Sequence, residues 1–209
     1  MSAVQKQLSS FQNISTLFIR QFPELYHLAT TFMSMISKKI CLVGDFGVGK
    51  TSLIRRFVDR QFSDEYLSTV GVKISRKTLE LEGVRQQDKL NLQLLIWDLE
   101  GHTKFKALAP SYLQGSSAAV VVADVSRTET IDRLPEHIQL FLSVNPRGSI
   151  VVALNKSDLI DEEKLEKLAQ IVQLKNLEQV SEIYATSAKT GSYVDEIFQQ
   201  LAYKSIEPV

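Results

Sequence analysis

"KICLVGDFGVGKTSLIRRF" occupies residues 39–57, and its succession of residue types decides the fold. The apolar run inside 38–45 is short and ends at a glycine, which reads as a buried strand. Gly44, Gly47 and Gly49 follow within six residues, and Lys50 and Thr51 come directly after them. Leu53, Ile54, Phe57 and Val58 then recur at helical spacing, so a helix is expected over 50–62. Strand, glycine loop and helix stand in that order.

Outward from this unit the same alternation continues. Residues 70–81 and 89–98 alternate apolar and polar positions around the polar stretch 82–88, as the two strands of a hairpin do. "SAAVVVADV" (117–125), "SIVVALNKSD" (149–158) and "EIYATSA" (182–188) read as further buried strands. Helical patterns cover 103–113, 132–144, 162–174 and 191–204. Strands alternating with helices imply an α/β fold, a mostly parallel sheet with helices on both faces. The hairpin adds one antiparallel edge strand.

Composition narrows the function. The 209 residues are 44% hydrophobic and 23% charged, which suits a globular domain, and no apolar run is long enough to span a membrane. Lysine plus arginine number 24 and aspartate plus glutamate also 24. That balance gives no electrostatic case for nucleic acid as a partner. The single cysteine, Cys41, lies in the apolar run and reads as a small core residue. Nothing in cysteine usage implies an oxidising compartment, so a cytoplasmic location is expected.

The glycine loop carries chemistry. GxxxxGK[ST] between a buried strand and a helix is the phosphate-binding loop, residues 44–51 here. Its glycines let the backbone curl so that N–H groups of Asp45, Phe46, Gly47, Val48, Gly49, Lys50, Thr51 and Ser52 surround phosphate oxygens. The helix N-terminus adds partial positive charge. Lys50 places an ammonium on the β- and γ-phosphates, and Thr51 offers a hydroxyl to Mg²⁺. Later strand ends supply the rest. Asp98 in "WDLEG" (97–101) suits Mg²⁺ through water, and the Gly101 N–H suits a γ-phosphate. Asp158 in "NKSD" (155–158) accepts from the two donors that guanine presents and adenine lacks. Asn155 ties that loop to the phosphate loop, and Lys156 lays its stem on the base. In "TSAK" (186–189), Ser187, Ala188 and Lys189 flank the base, with the Ala188 N–H directed to guanine O6. Open α/β sheets bind ligands at such strand ends. Each motif alone is short enough to occur by chance; four in order are not.

With these motifs in place, the chain resembles the Ras-like small GTPases, most closely their Rab-type branch, over residues 38–204. The resemblance implies a P-loop NTPase fold with a six-stranded sheet and five helices. It also implies guanine nucleotide (GTP or GDP) and Mg²⁺ as ligands, and GTP hydrolysis as the reaction. "STVG" identifies Thr69 as the switch I threonine, a ligand of Mg²⁺ and the γ-phosphate, and Phe62 as an aromatic wall against the guanine. The metal set is then Thr51, Thr69 and Asp98, and the catalytic set His102, Lys50 and Thr69. Protein effectors, an exchange factor and an activating protein are the partners the resemblance implies.

Several positions depart from that family. Phe46 stands beside the γ-phosphate position, where Rab proteins keep a small residue. His102 replaces the glutamine that orients the attacking water. Both suggest slow turnover and keep a second reading open, a nucleotide-holding interaction module with little hydrolysis. His27 and His137 stand alone and read as structural or surface residues. The chain ends "YKSIEPV" without prenylation cysteines, so no prenyl anchor is expected, a pattern that suits a prokaryotic relative. Residues 1–37 read as an N-terminal extension before a GTPase domain at 38–209. An apolar stripe through Phe11, Ile14, Phe18, Phe22, Leu25, Leu28, Phe32 and Met35 gives residues 11–36 a face for peripheral membrane or partner contact. A small-molecule kinase, the other rival, lacks support: no arginine-rich lid is evident, and guanine-reading loops are present.

Overall fold

The computed structural model describes residues 35–63, 69–84, 87–100, 109–161, 163–164, 168 and 179–206. The elements are β1 (Ile36–Val43), α1 (Lys50–Asp59), β2 (Val72–Val84), β3 (Gln87–Leu99), α2 (Ala109–Leu113) and β4 (Ala118–Asp124). They continue with α3 (Thr128–Asp132), α4 (Leu134–Val144), β5 (Ser149–Asn155), a 3₁₀ turn (Ser157–Leu159), β6 (Val180–Ala185) and α5 (Val194–Ile206). The expected helix at 162–174 and the stripe at 11–36 fall largely or wholly outside the described residues, as does the start of the helix expected at 103–113.

The chain divides into two compact units, Met1–Ile36 with Glu80–Asn91, and Ser37–Leu79 with Leu92–Val209. In the first, the described part is mainly the outer end of the hairpin, where Lys89 Nζ pairs with Glu80 Oε1 at 2.7 Å. Strand structure there continues through Val84 and resumes at Gln87, so the strands run further than the polar stretch at 82–88 suggested.

The second unit carries the six-stranded sheet in the order β2-β3-β1-β4-β5-β6. Five strands are parallel and β2, at the edge, is antiparallel, as the alternation of elements implied. Every residue of β4 is buried, and β5 is buried from Ile150 onward. Central parallel strands covered on both faces have no polar side, which is why "AAVVVA" reads as one apolar run. Cys41 is fully buried, as a core residue should be. Its Sγ lies 3.0 Å from Ser116 Oγ, and burial pushes its thiol pKa up.

Helix ends follow local chemistry. α1 buries Leu53, Ile54 and Phe57, and the Phe57 ring stacks on Phe198 of α5 at 4.2 Å. It stops at Asp59 rather than Phe62 because Arg60 turns left-handed, φ 59°. The Arg60 guanidinium holds that turn by bonding both carboxylate oxygens of Asp195, at 2.6 and 2.7 Å. Phe62 is thereby released from the helix. The helix expected over 132–144 is α4, which starts at Leu134, and a short helix that was not expected, α3, precedes it across a break at Arg133. Pro135 sits in the first turn of α4, where a missing N–H is tolerated, but it cannot continue a helix arriving from α3.

Candidate functional site

At the carboxyl ends of the strands in the second unit lies a cleft of about 290 Å³. One end is the loop between β1 and α1; the other is the turn after β5 and the turn after β6.

The first end is built of backbone. Gly49 is the N-cap of α1, at φ 98°, with no side-chain cap and no acidic residue in the first turn. The N–H groups of that turn are left for another acceptor, which makes an anion site. A Cβ at Gly49 would collide with Asn155 Nδ2, so glycine is required there for packing as well as for φ. Lys50 folds its ammonium back onto the loop and donates to Gly44 O and Asp45 O, both at 2.8 Å. Burial lowers its pKa to about 8, against the upward pull of Asp98 and Asp45.

Beside Lys50 three oxygens converge. Thr51 Oγ1 donates to Asp98 Oδ2 at 2.6 Å and lies 2.7 Å from Thr69 Oγ1. Thr69 Oγ1 is 3.5 Å from Asp98 Oδ2. Thr69 is brought there by its neighbour Gly71, which donates its N–H to Glu100 Oε2 at 2.7 Å and accepts the Glu100 N–H at 3.0 Å. Burial pushes the Asp98 carboxyl up, and Asp98 Oδ1 is buried with no hydrogen-bond partner among the described residues. Asp98 Oδ2 with the two hydroxyls forms a hard, all-oxygen donor set, and the second oxygen of the same carboxylate, Oδ1, is left unsatisfied. Ligands about 2.1 Å from Mg²⁺ in an octahedron stand roughly 3 Å from their neighbours, close to the separations here. The residues fit Mg²⁺.

At the second end Asn155, fully buried, donates Nδ2 to Val48 O at 2.9 Å and accepts the Ala188 N–H at 3.3 Å. Lys156 is left-handed at φ 65°, and its Nζ meets the buried Asp124 Oδ2 at 2.7 Å. Asp158 is exposed in the cleft, and Ser187 Oγ donates to its Oδ1 at 2.5 Å. Lys189 and Leu159 line this end, while Phe62, Arg55 and Thr69 line the flank.

A profile of the Roc family (Ras of Complex, the Roc domain of DAPkinase) matches residues 39–158. The human Ras-related protein Rab-22A is 35% identical over 175 residues, 81% of this chain and 84% of the relative. RABF2b of Arabidopsis thaliana is 36% identical over 168 residues, 80% of each chain. The GTP-binding protein ypt5 of Schizosaccharomyces pombe is 35% identical over 175 residues, 81% of this chain and 78% of the relative. The chain belongs to the Ras-like small GTPases, on their Rab-type branch. It is a P-loop GTP hydrolase.

The structure of this Rab-type GTPase brings most of the sequence-derived residues to one cleft. Phe46, Gly47, Gly49, Lys50, Thr51, Ser52, Phe62, Thr69, Asn155, Lys156, Asp158, Ala188 and Lys189 all line it. Ser187 is buried and reaches it through Asp158; Asp98 reaches it through Thr51. Val48 is buried and contributes its carbonyl to Asn155. Asp45 faces away, and its Oδ1 is held by His137 Nε2 at 3.0 Å and Arg133 Nη1 at 3.2 Å. His137 is therefore structural, with burial lowering its pKa. Gly101 and His102 lie outside the described residues. Among the described residues no helix is long and apolar enough to cross a membrane.

Sequence reasoning missed three polar residues. Arg55 lies one helical turn past Thr51 on the cleft-facing side of α1. Asp124 closes β4 and Arg127 follows it, where Arg127 Nε donates to Asp124 Oδ2 at 3.1 Å and Nη2 to Phe46 O at 2.9 Å. Asp124 carried a usable signal: it is a carboxylate closing a wholly buried strand. Burial pushes its carboxyl up, but the bonds from Lys156 and Ser126 outweigh that and leave it below its ordinary value.

Proposed function

We propose that the chain is a slow GTP-driven switch that holds GTP or GDP with Mg²⁺ in the cleft. The observation that carries this reading is the convergence of Thr51, Thr69 and Asp98 beside the Lys50 ammonium. Thr51 belongs to the phosphate loop, Thr69 to the first switch segment and Asp98 to the start of the second. Thr51 and Thr69, with Asp98 through water, would hold Mg²⁺ there, and the ion would supply positive charge to offset the charge that develops on the phosphate oxygens. Loss of the γ-phosphate removes what Thr69 is held to, and the segments around 62–76 and 98–113 relax. Protein effectors would read that difference, and exchange and activating proteins would set its timing.

The residues divide the work. Lys50 neutralises the β- and γ-phosphates from a buried position. Asp158, steadied by Ser187, accepts the two guanine donors, and Phe62 and the Lys156 stem sandwich the base. Gly101 offers its N–H to the γ-phosphate. Catalysis rests on positioning and electrostatics. Phe46 and His102 would make turnover slow: a ring at position 46 would obstruct the entry of an activating arginine, and imidazole lacks the adjacent donor and acceptor of an amide.

A competition between GTP and ATP, run beside a single-turnover GTP assay with Mg²⁺, tests the reading. Guanine preference of roughly 10⁴ or more, with slow but complete conversion to GDP, is expected. Guanine binding without conversion would favour an interaction module. Equal affinity for ATP would overturn the assignment.

A further inference from the structure

The phosphate loop is held from behind at two carbonyls. Asn155 takes Val48 O, which the guanine-reading motif accounts for. Arg127 takes Phe46 O at 2.9 Å, and no motif assigns it. The consequence follows from peptide geometry. A trans peptide is planar, with its C=O and the next residue's N–H pointing opposite ways. The Phe46–Gly47 peptide is trans, so fixing the Phe46 carbonyl on Arg127 fixes the Gly47 N–H in the opposite direction. Gly47 lines the cleft, and its N–H has no acceptor among the described residues. That N–H is therefore a donor aimed at whatever occupies the phosphate end.

Arg127 is itself anchored. Its Nε donates to Asp124 Oδ2 at 3.1 Å, and the same oxygen receives Lys156 Nζ at 2.7 Å. Asp124 Oδ1 is occupied by Ser126 N at 3.0 Å and Ser126 Oγ at 2.6 Å. One carboxylate thus links the residue behind the phosphate loop to the lysine at the base end. Guanidinium suits this place because its planar fork serves two acceptors at once, which an ammonium on a flexible stem does poorly.

We infer that Arg127 is a positioning residue: it aims the Gly47 N–H at the nucleotide phosphates and, through Asp124, couples the phosphate loop to Lys156. This rests on the reading that guanine nucleotide fills the cleft. Arg127→Ala leaves Asp124 paired with Lys156 and Ser126, so the fold survives and the loop peptide loses its tether. The variant should release GDP about ten- to hundredfold faster, the worth of one hydrogen bond to a charged group. The ³¹P resonance of the bound β-phosphate should move. Arg127 is 37% exposed in its side chain, so guanidinium ion can enter the vacated place, and millimolar guanidinium should slow release again. Arg127→Lys should lie between parent and Arg127→Ala. In a double-mutant cycle with Lys156→Met the two losses should not add. GDP release and ³¹P shift unchanged in folded Arg127→Ala would overturn the inference while leaving the function standing. Strict additivity would overturn the coupling through Asp124. A parent that fails to bind GDP would instead overturn the reading on which the inference rests.

Discussion

Replacing Lys50 by methionine should abolish a gain in stability that the nucleotide-free parent makes as pH rises, and the size of the change can be worked from the site. Lys50 is buried, and its pKa in the folded chain is about 8 against an ordinary 10.5. Between those values the folded state binds fewer protons than the unfolded one, so stability rises with pH there. The cost of burying the charge is complete below about 8 and relieved as the ammonium deprotonates. Linkage over pH 7 to 9.5 gives about 2 kcal/mol of relative gain for the parent, which Lys50→Met cannot show. Urea unfolding of both nucleotide-free proteins across that range measures it, and subtraction removes every other titrating group. GDP affinity should move the other way. The phosphates require the charged ammonium, so the parent should weaken about tenfold between pH 7 and 9. Lys50→Met binds weakly throughout and should show only the ionisation of the base, common to both proteins. Parallel stability curves would refute the reasoning. They would mean that the carbonyls of Gly44 and Asp45, each 2.8 Å from Nζ, hold the ammonium charged as well as water does.

Asp158→Asn should lose the preference for guanine over adenine, read by GTP and ATP competition, because an amide presents a donor where guanine presents one too. Thr69→Ala should spare GDP affinity and weaken GTP-dependent effector binding; equal weakening of both nucleotides would show that Thr69 does not sense the γ-phosphate. Thr51→Ala should raise the Mg²⁺ concentration needed for tight GDP binding, measured by titration against a chelator. The pair Phe46→Gly and His102→Gln should speed single-turnover hydrolysis, and a parent already as fast as that double variant would sink the slow-switch proposal.

The sequence made the cleft legible because its parts are local. A phosphate loop is a strand, a turn and a helix start within fourteen residues, 38–51, and each step has its own residue signature. Asp98, Asn155 and Thr186 announce themselves the same way, as buried polar residues at or just beyond strand ends. What was hidden was support that crosses the chain. Arg127 lies 81 positions from Phe46 and His137 lies 92 from Asp45, and no periodicity connects such pairs. The short helix α3 was missed for a different reason: five residues, Thr128–Asp132, are too few for apolar spacing to register.

The position of Phe46 brings these two kinds of information together. Its backbone and its side chain answer to different constraints. The carbonyl is held by Arg127, and the following N–H is set by that bond, so the loop can cradle phosphate whatever side chain Phe46 carries. Phe46 lines the cleft, and under the proposed function its ring is the part that would obstruct an activating residue. On that proposal a large residue in the middle of the motif would bear on how fast the γ-phosphate leaves, with the architecture that binds it unchanged. By the same logic Arg127→Ala and Phe46→Gly should separate experimentally. The first should change nucleotide release, because it frees the peptide. The second should change hydrolysis with release nearly constant, provided that glycine at 46 keeps the carbonyl on Arg127. If Phe46→Gly accelerated GDP release as much as Arg127→Ala, the ring itself would be holding the loop, and the division between backbone and side chain would fail.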